Sequence, residues 1–147
     1  MNKQALKEKL IELQHESIAS LEEKITTTHS MVDVDESDTI DPEDLSHQTE
    51  SGESEQLFRQ QLIKARIDLS TFEQLDMSPK SKVEAGAFVV TETFNFIVGC
   101  ATTPFDFEGQ HIIGVSPEAP IFREMKDLHA GDSFTVSGNA YTIKEIH

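Results

Sequence analysis

Ile11, Gln14, Ile18, Leu21, Ile25, Thr28 and Val32 form a mostly apolar stripe whose steps alternate three and four residues, and Leu6, Leu10 and Leu13 widen it near its start. That spacing predicts a helix with one apolar face. A second stripe, Phe58, Leu62, Ala65, Leu69 and Phe72 with Leu57 and Leu75 beside it, predicts another helix that ends before Ser78-Pro79. One connection joins the two, so they are expected to pack as an antiparallel hairpin, about 40 Å long at about 25 residues per arm. A compact bundle would need a third apolar helix, and the sequence shows none.

After the polar joint Met77 to Lys82 the period shortens to two. Phe88 to Thr91, Phe94 to Val98, His111 to Val115, Phe134 to Val136 and Tyr141 to Ile146 read as short strands between Gly, Pro, Asn and Asp punctuation. Pro120 to Leu128 has room for one short helix with Ile121, Phe122 and Met125 toward the sheet, and Ser137-Gly138-Asn139 reads as a hairpin turn. The expected fold class is α+β. Residues 1–77 would form the antiparallel helical hairpin, or coiled coil, and residues 78–147 a small antiparallel sheet domain with one short helix.

Charge changes this picture at one place. Between Lys24 and Arg59 there is no basic residue, while Asp33, Asp35, Glu36, Asp38, Asp41, Glu43, Asp44, Glu50, Glu53 and Glu55 supply ten acids. An acidic tip around residues 33–55 repels itself and buries no core, so it suits a cation or a basic cavity. Over the 147 residues, 27 acids against 12 bases give a net charge of −15. That balance disfavours direct contact with DNA, RNA or anionic lipid, whose phosphates need Lys and Arg, and makes any nucleic-acid role indirect. Hydrophobic content of 37% is low for one compact globule and favours an elongated form.

The single cysteine, Cys100, excludes an internal disulfide framework and a multi-cysteine zinc site, and is expected to be a small buried or half-buried apolar residue after a strand. The six histidines show no H-x-x-x-H spacing, so His29 and His47 are read as solvated side chains and not as zinc ligands. No apolar run approaches the roughly 18 residues of a membrane span, and MNKQALKEKL is too charged for a signal peptide. The cytoplasm is the expected compartment.

Asp41-Pro42-Glu43-Asp44 has two readings. It is a good helix start, with Asp41 as cap, Pro42 in the first helical position and acids in a first turn where the helix dipole favours them. Its carboxylates are also hard oxygen donors suited to Mg²⁺.

Residues Val83 to Ile146 carry, in order, Ile97-Val98-Gly99, Ile113-Gly114-Val115-Ser116-Pro117, a short helix, Gly131-Asp132-Ser133-Phe134-Thr135-Val136 and a closing strand. Each piece is weak alone, but the order resembles the FKBP-like C-terminal domain of the Gre transcript-cleavage factors (GreA and GreB). The N-terminal half is similar to their antiparallel coiled coil with an acidic tip, so the resemblance covers nearly the whole chain. It implies a factor that docks at the secondary channel of bacterial RNA polymerase and brings tip carboxylates near the catalytic Mg²⁺. There, two-metal chemistry cleaves backtracked RNA. The active site then belongs to the polymerase and this chain is not an enzyme.

Carried onto this sequence, the resemblance places Asp41, Glu43 and Asp44 at the metal, which is shared with the polymerase and held weakly by the free protein, and Ser116 and Pro117 at the docking surface. The family's tip pattern G-D-[LI]-x-E-N-A-x-Y is met only approximately by Glu43 to Ser51. Acid spacing gives Asp41 and Asp44 as a D-x-x-D substitute. Ten acids exceed the pair that cleavage needs and resemble the tips of inhibitory relatives, so a homologue that occupies the channel and slows transcription is the alternative. Ser116 to Asp132 is longer than in typical members by about three residues, room for about one helical turn. A prolyl isomerase is disfavoured, because known isomerases line their pocket with several aromatics including tryptophan, whereas this chain has no Trp and one Tyr.

Overall fold

The computed structural model describes residues 1–32 and 42–147, the side chains of residues 30–49 and 51 excepted. Two long helices, α1 (Lys3–Val32) and α2 (Pro42–Gln74), precede strands β1 (Phe88–Thr91), β2 (Asn95–Val98), β3 (Phe105–Phe107) and β4 (Gln110–Val115). Helix α3 (Pro120–Met125) and strands β5 (Ser133–Val136) and β6 (Asn139–Ile146) complete the chain. The expected α+β class stands, a helical hairpin followed by a mostly antiparallel sheet with one short helix. Among the described residues, no helix is long and apolar enough to cross a membrane.

Two compact units share this chain. Met1–Ile11 and Ser70–His147 form one, and Glu12–Leu69 the other. The polar joint read from Met77 to Lys82 therefore lies inside the first unit. The sheet order there is β3-β4-β2-β1-β6-β5. Strand β3 was not anticipated. It has three residues with Asp106, a poor strand former, at its centre, bracketed by Pro104 and the Glu108-Gly109 turn. The sheet is also not wholly antiparallel, because β2 and β4 run parallel, with Ile97 opposite Gly114 and Val98 opposite Val115. The chain reaches this arrangement by placing β3 on the far side of β4, so β4 returns beside β2.

Alternation along the strands sends side chains to two cores. Val89, Phe96, Val98, Val115, Met125, Phe134 and Ile143 pack on one face with Val83 and Ala87. Phe88, Ile97 and Ile112 point to the other, where they meet Leu6, Leu10, Phe72, Leu75 and Cys100. Cys100 is buried, as expected. Burial on both faces explains why β1 and β2 read as nearly continuous apolar runs.

Lysines tie the helix ends into this unit. Lys7 Nζ donates to the carbonyls of Glu73 (2.7 Å) and Leu75 (3.0 Å) at the C-terminal end of α2, where a helix leaves carbonyls unpaired and its dipole favours a cation. Lys3, only 8% exposed, donates to the carbonyls of Ser78 (2.8 Å) and His147 (2.9 Å).

In the unit Glu12–Leu69, contacts pair Gln14 with Ala65, Lys24 with Phe58 and His29 with Glu55. Partners fall along α2 as they rise along α1, so the helices are antiparallel. Leu21, Ile25 and Ala65 are buried in the seam. Gln14, a polar member of the first stripe, donates its Nε2 to the Ala65 carbonyl at 2.7 Å. Leu57, expected beside the stripe, is 52% exposed.

Candidate functional site

Helix α2 begins at Pro42, the position expected from proline's fixed φ and missing N–H. Glu43 and Asp44 thus lie in its first turn by backbone position, while Asp41 lies outside the described residues. The side chains of Glu43 and Asp44 are outside them too, so the expected metal group of Asp41, Glu43 and Asp44 falls beyond what the structure describes. Its donor set consists of carboxylate oxygens, the chemistry of a hard cation. Among the described residues no three His, Cys, Asp or Glu side chains are grouped to hold a metal ion.

At the end of the acidic run the structure adds something the charge pattern did not show. Glu55 is engaged from both helices. Its Oε1 accepts from Arg59 Nε (2.9 Å) and Nη2 (2.6 Å), and its Oε2 lies 3.4 Å from His29 Nδ1. The Arg59 hydrogen bonds chiefly, with a lesser contribution from His29, hold the Glu55 carboxyl below its ordinary range. His29 therefore faces a carboxylate; the side chain of His47 is outside the described residues.

Ser116 and Pro117 belong to the other unit, at the end of β4. Ser116 to Ala119 is a β-turn closed by Ala119 N–H to the Ser116 carbonyl at 3.0 Å, with Pro117 in the position its ring favours. Pro117 is exposed and Ser116 half-buried. The strand that presents them is held close to its neighbours. A Cβ on Gly114 would lie 2.6 Å from the Cys100 carbonyl oxygen and 2.6 Å from Thr102 Oγ1, and Thr102 Oγ1 accepts the Gly114 N–H at 2.8 Å. Only glycine fits under this crossing chain.

The motif residues interlock through the sheet. Gly99 N–H donates to the Val115 carbonyl at 2.8 Å, tying the Ile97-Val98-Gly99 segment to the strand that ends just before Ser116. Gly131 N–H donates to the Ile143 carbonyl (2.8 Å), Ile143 N–H to the Asp132 carbonyl (2.9 Å), and Asp132 Oδ2 accepts the His129 N–H (2.8 Å). The Gly131-Asp132 turn is thereby pinned to β6.

Sequence reasoning found the joint but not the hydrogen bonds that set it. Asp76 accepts from Ser78 N–H (2.9 Å), Ser78 Oγ (2.8 Å) and Lys80 Nζ (2.7 Å). These donors, Lys80 first, hold its carboxyl far below the ordinary value of 3.8. The D-x-S-P-K sequence carried an Asx-turn signal that could have found them.

No protein-family model matches the chain, and no curated protein sequence matches it. Among solved structures it is similar to the GreA factor homolog 1 (Gfh1) protein of Thermus thermophilus, at 13% identity and a TM-score of 0.34, over 93% of this chain and 94% of that one.

Proposed function

We propose that this chain is a transcription elongation factor of the Gre type, which docks on bacterial RNA polymerase at the secondary channel and stimulates cleavage of backtracked RNA. The observation that supports it best is the way the motif residues join. Ile97-Val98-Gly99 and Ile113-Gly114-Val115 are separated in sequence yet lie on adjacent strands, and Ser116-Pro117 leaves that pair as a turn. A helical hairpin bearing the acidic run belongs to the same chain.

On this reading Ser116 and Pro117 contact the polymerase, and the sheet unit supplies most of the affinity, because a self-repelling acidic segment loses solvation as it approaches an active site. Asp41, Glu43 and Asp44 would then hold a Mg²⁺ shared with the polymerase, and that ion would activate water against the RNA phosphodiester. The chain's own contribution is carboxylate charge at a set position; bond breaking stays on the polymerase. The surplus of acids favours the second reading, a homologue that slows nucleotide addition in the same channel.

The experiment is incubation with a stalled, backtracked complex. The cleavage reading expects shortened RNA, with Asp41→Asn plus Asp44→Asn removing the gain while binding persists. Slowed addition without cleavage, relieved by the same pair, establishes the inhibitory reading. Loss of binding in Ser116→Arg with Pro117→Ala supports docking through the turn, and unchanged binding refutes it.

A further inference from the structure

The apolar seam thins toward the acidic run. Leu21 and Ile25 are buried, Phe58 is half-buried, and Thr28 turns its hydroxyl back to the Lys24 carbonyl at 2.7 Å. At the next level His29 of α1 and Glu55 of α2 approach to 3.4 Å, and Arg59 grips the same carboxylate with two N–H groups. Glu55's side chain is 16% exposed although His29 and Arg59 are 61% and 57% exposed, so the carboxylate lies inside the group and its two nitrogen-bearing partners outside it.

We propose that His29, Glu55 and Arg59 form a polar clamp that fixes the spacing and register of α1 and α2 where they lead into the acidic segment. Glu55 is then a positioning residue and not one of the acids offered to a metal. Both of its oxygens are engaged, so it has little charge left to present. A single polar layer in a helix pair specifies register at modest cost to stability, which is the attested use of such layers. The clamp's effect is on geometry, since partly exposed ion pairs add little to global stability. The consequence for the tip's action rests on the Gre-type reading; the clamp itself does not.

The test places nitroxides at Thr26→Cys and Ser54→Cys, one on each helix beside the clamp, with Cys100→Ser in every chain, and measures their distance distribution in the free protein. Glu55→Ala and His29→Ala are each expected to broaden or shift the distribution, and the double variant to do no more than either single one. Arg66→Ala, which breaks the Arg66–Glu22 pair (2.9 Å) elsewhere along the hairpin, should leave it unchanged. Helical circular dichroism confirms that each variant is folded. An unchanged distribution in Glu55→Ala overturns the clamp. On polymerase, Glu55→Ala should bind as the parent does and lose the tip's effect by about tenfold or more, the scale set by small misplacements of catalytic groups. Loss of that effect with an unchanged distribution makes Glu55 a metal-facing acid and overturns the proposal. Should the parent protein have no effect on polymerase, the functional reading fails while the distances still decide the clamp.

Discussion

Replacing Gly86 with alanine tests how the helix bases are seated on the sheet. Gly86 has φ +82°, and a Cβ there would lie 1.8 Å from the Asp76 carbonyl oxygen and 2.9 Å from its carbon. Both obstructing atoms are backbone, so no rotamer change relieves them, and the Asp76 turn or the entry to β1 must shift. Left-handed φ costs a residue with a Cβ about 1–2 kcal/mol. Overpacking adds about 1–3 kcal/mol. The sum, about 2–5 kcal/mol, is a large part of the about 5–15 kcal/mol that holds a domain together. Gly131→Ala is the control, because its φ is +96° and nothing lies within 4 Å of its Cβ; it carries the left-handed cost alone. Gly99→Ala falls between them, since its Cβ meets Leu75 Cδ1 at 2.6 Å and that side chain can move. Leu75→Val removes this methyl, so the double variant should lose less than the two singles summed. Urea titration followed by fluorescence of Tyr141, the chain's one tyrosine, which stacks on Phe134 at 5.4 Å, reads each loss at constant slope. Equal losses for Gly86→Ala and Gly131→Ala would refute the close seating.

Lys3→Ala should cost about 2 kcal/mol by freeing the Ser78 and His147 carbonyls, and Lys3→Met about half as much because its stem still packs, both measured by the same titration. The Asp76 carboxyl is depressed in the folded state, so its contribution is present above the ordinary value of 3.8 and is lost as pH falls toward the folded value. Asp76→Asn should flatten that acid limb in a pH series of unfolding midpoints. Gly52 sits in α2 with nothing within 4 Å of its Cβ, so Gly52→Ala should stabilise the hairpin by about 0.5–1 kcal/mol and raise its melting temperature by helical circular dichroism.

The long elements were legible because each repeats its period many times; α1 and α2 run 30 and 33 residues. Strands with three or more apolar positions were legible too, and the two turn residues Ser137 and Gly138 both have positive φ, as a two-residue hairpin turn requires. The parallel pairing of β2 with β4 was not, since nothing local to either strand says which neighbour it meets. Nor was the second core: alternation shows that Phe88 and Val89 face opposite ways, but not that helix residues cover both faces. At the candidate site, the Ser116-Pro117 turn and the helix start at Pro42 were readable from proline. The Glu55–Arg59 pair was implicit in its spacing of four, whereas His29 joins it only through the hairpin's register.

The burial of Leu6 and Leu10 against Phe88, Ile97 and Ile112 has a consequence for synthesis. These two leucines are made before the strands they cover, which appear only after the whole hairpin has been made, a wait of seconds at about 5–20 residues per second. Helix pairing can proceed meanwhile; the sheet cannot close one of its cores until these early-made leucines, separated from it in sequence by the hairpin, come back to it. A chain lacking residues 1–11 would leave Phe72, Leu75 and one sheet face uncovered, and would be a substrate for chaperones and proteases.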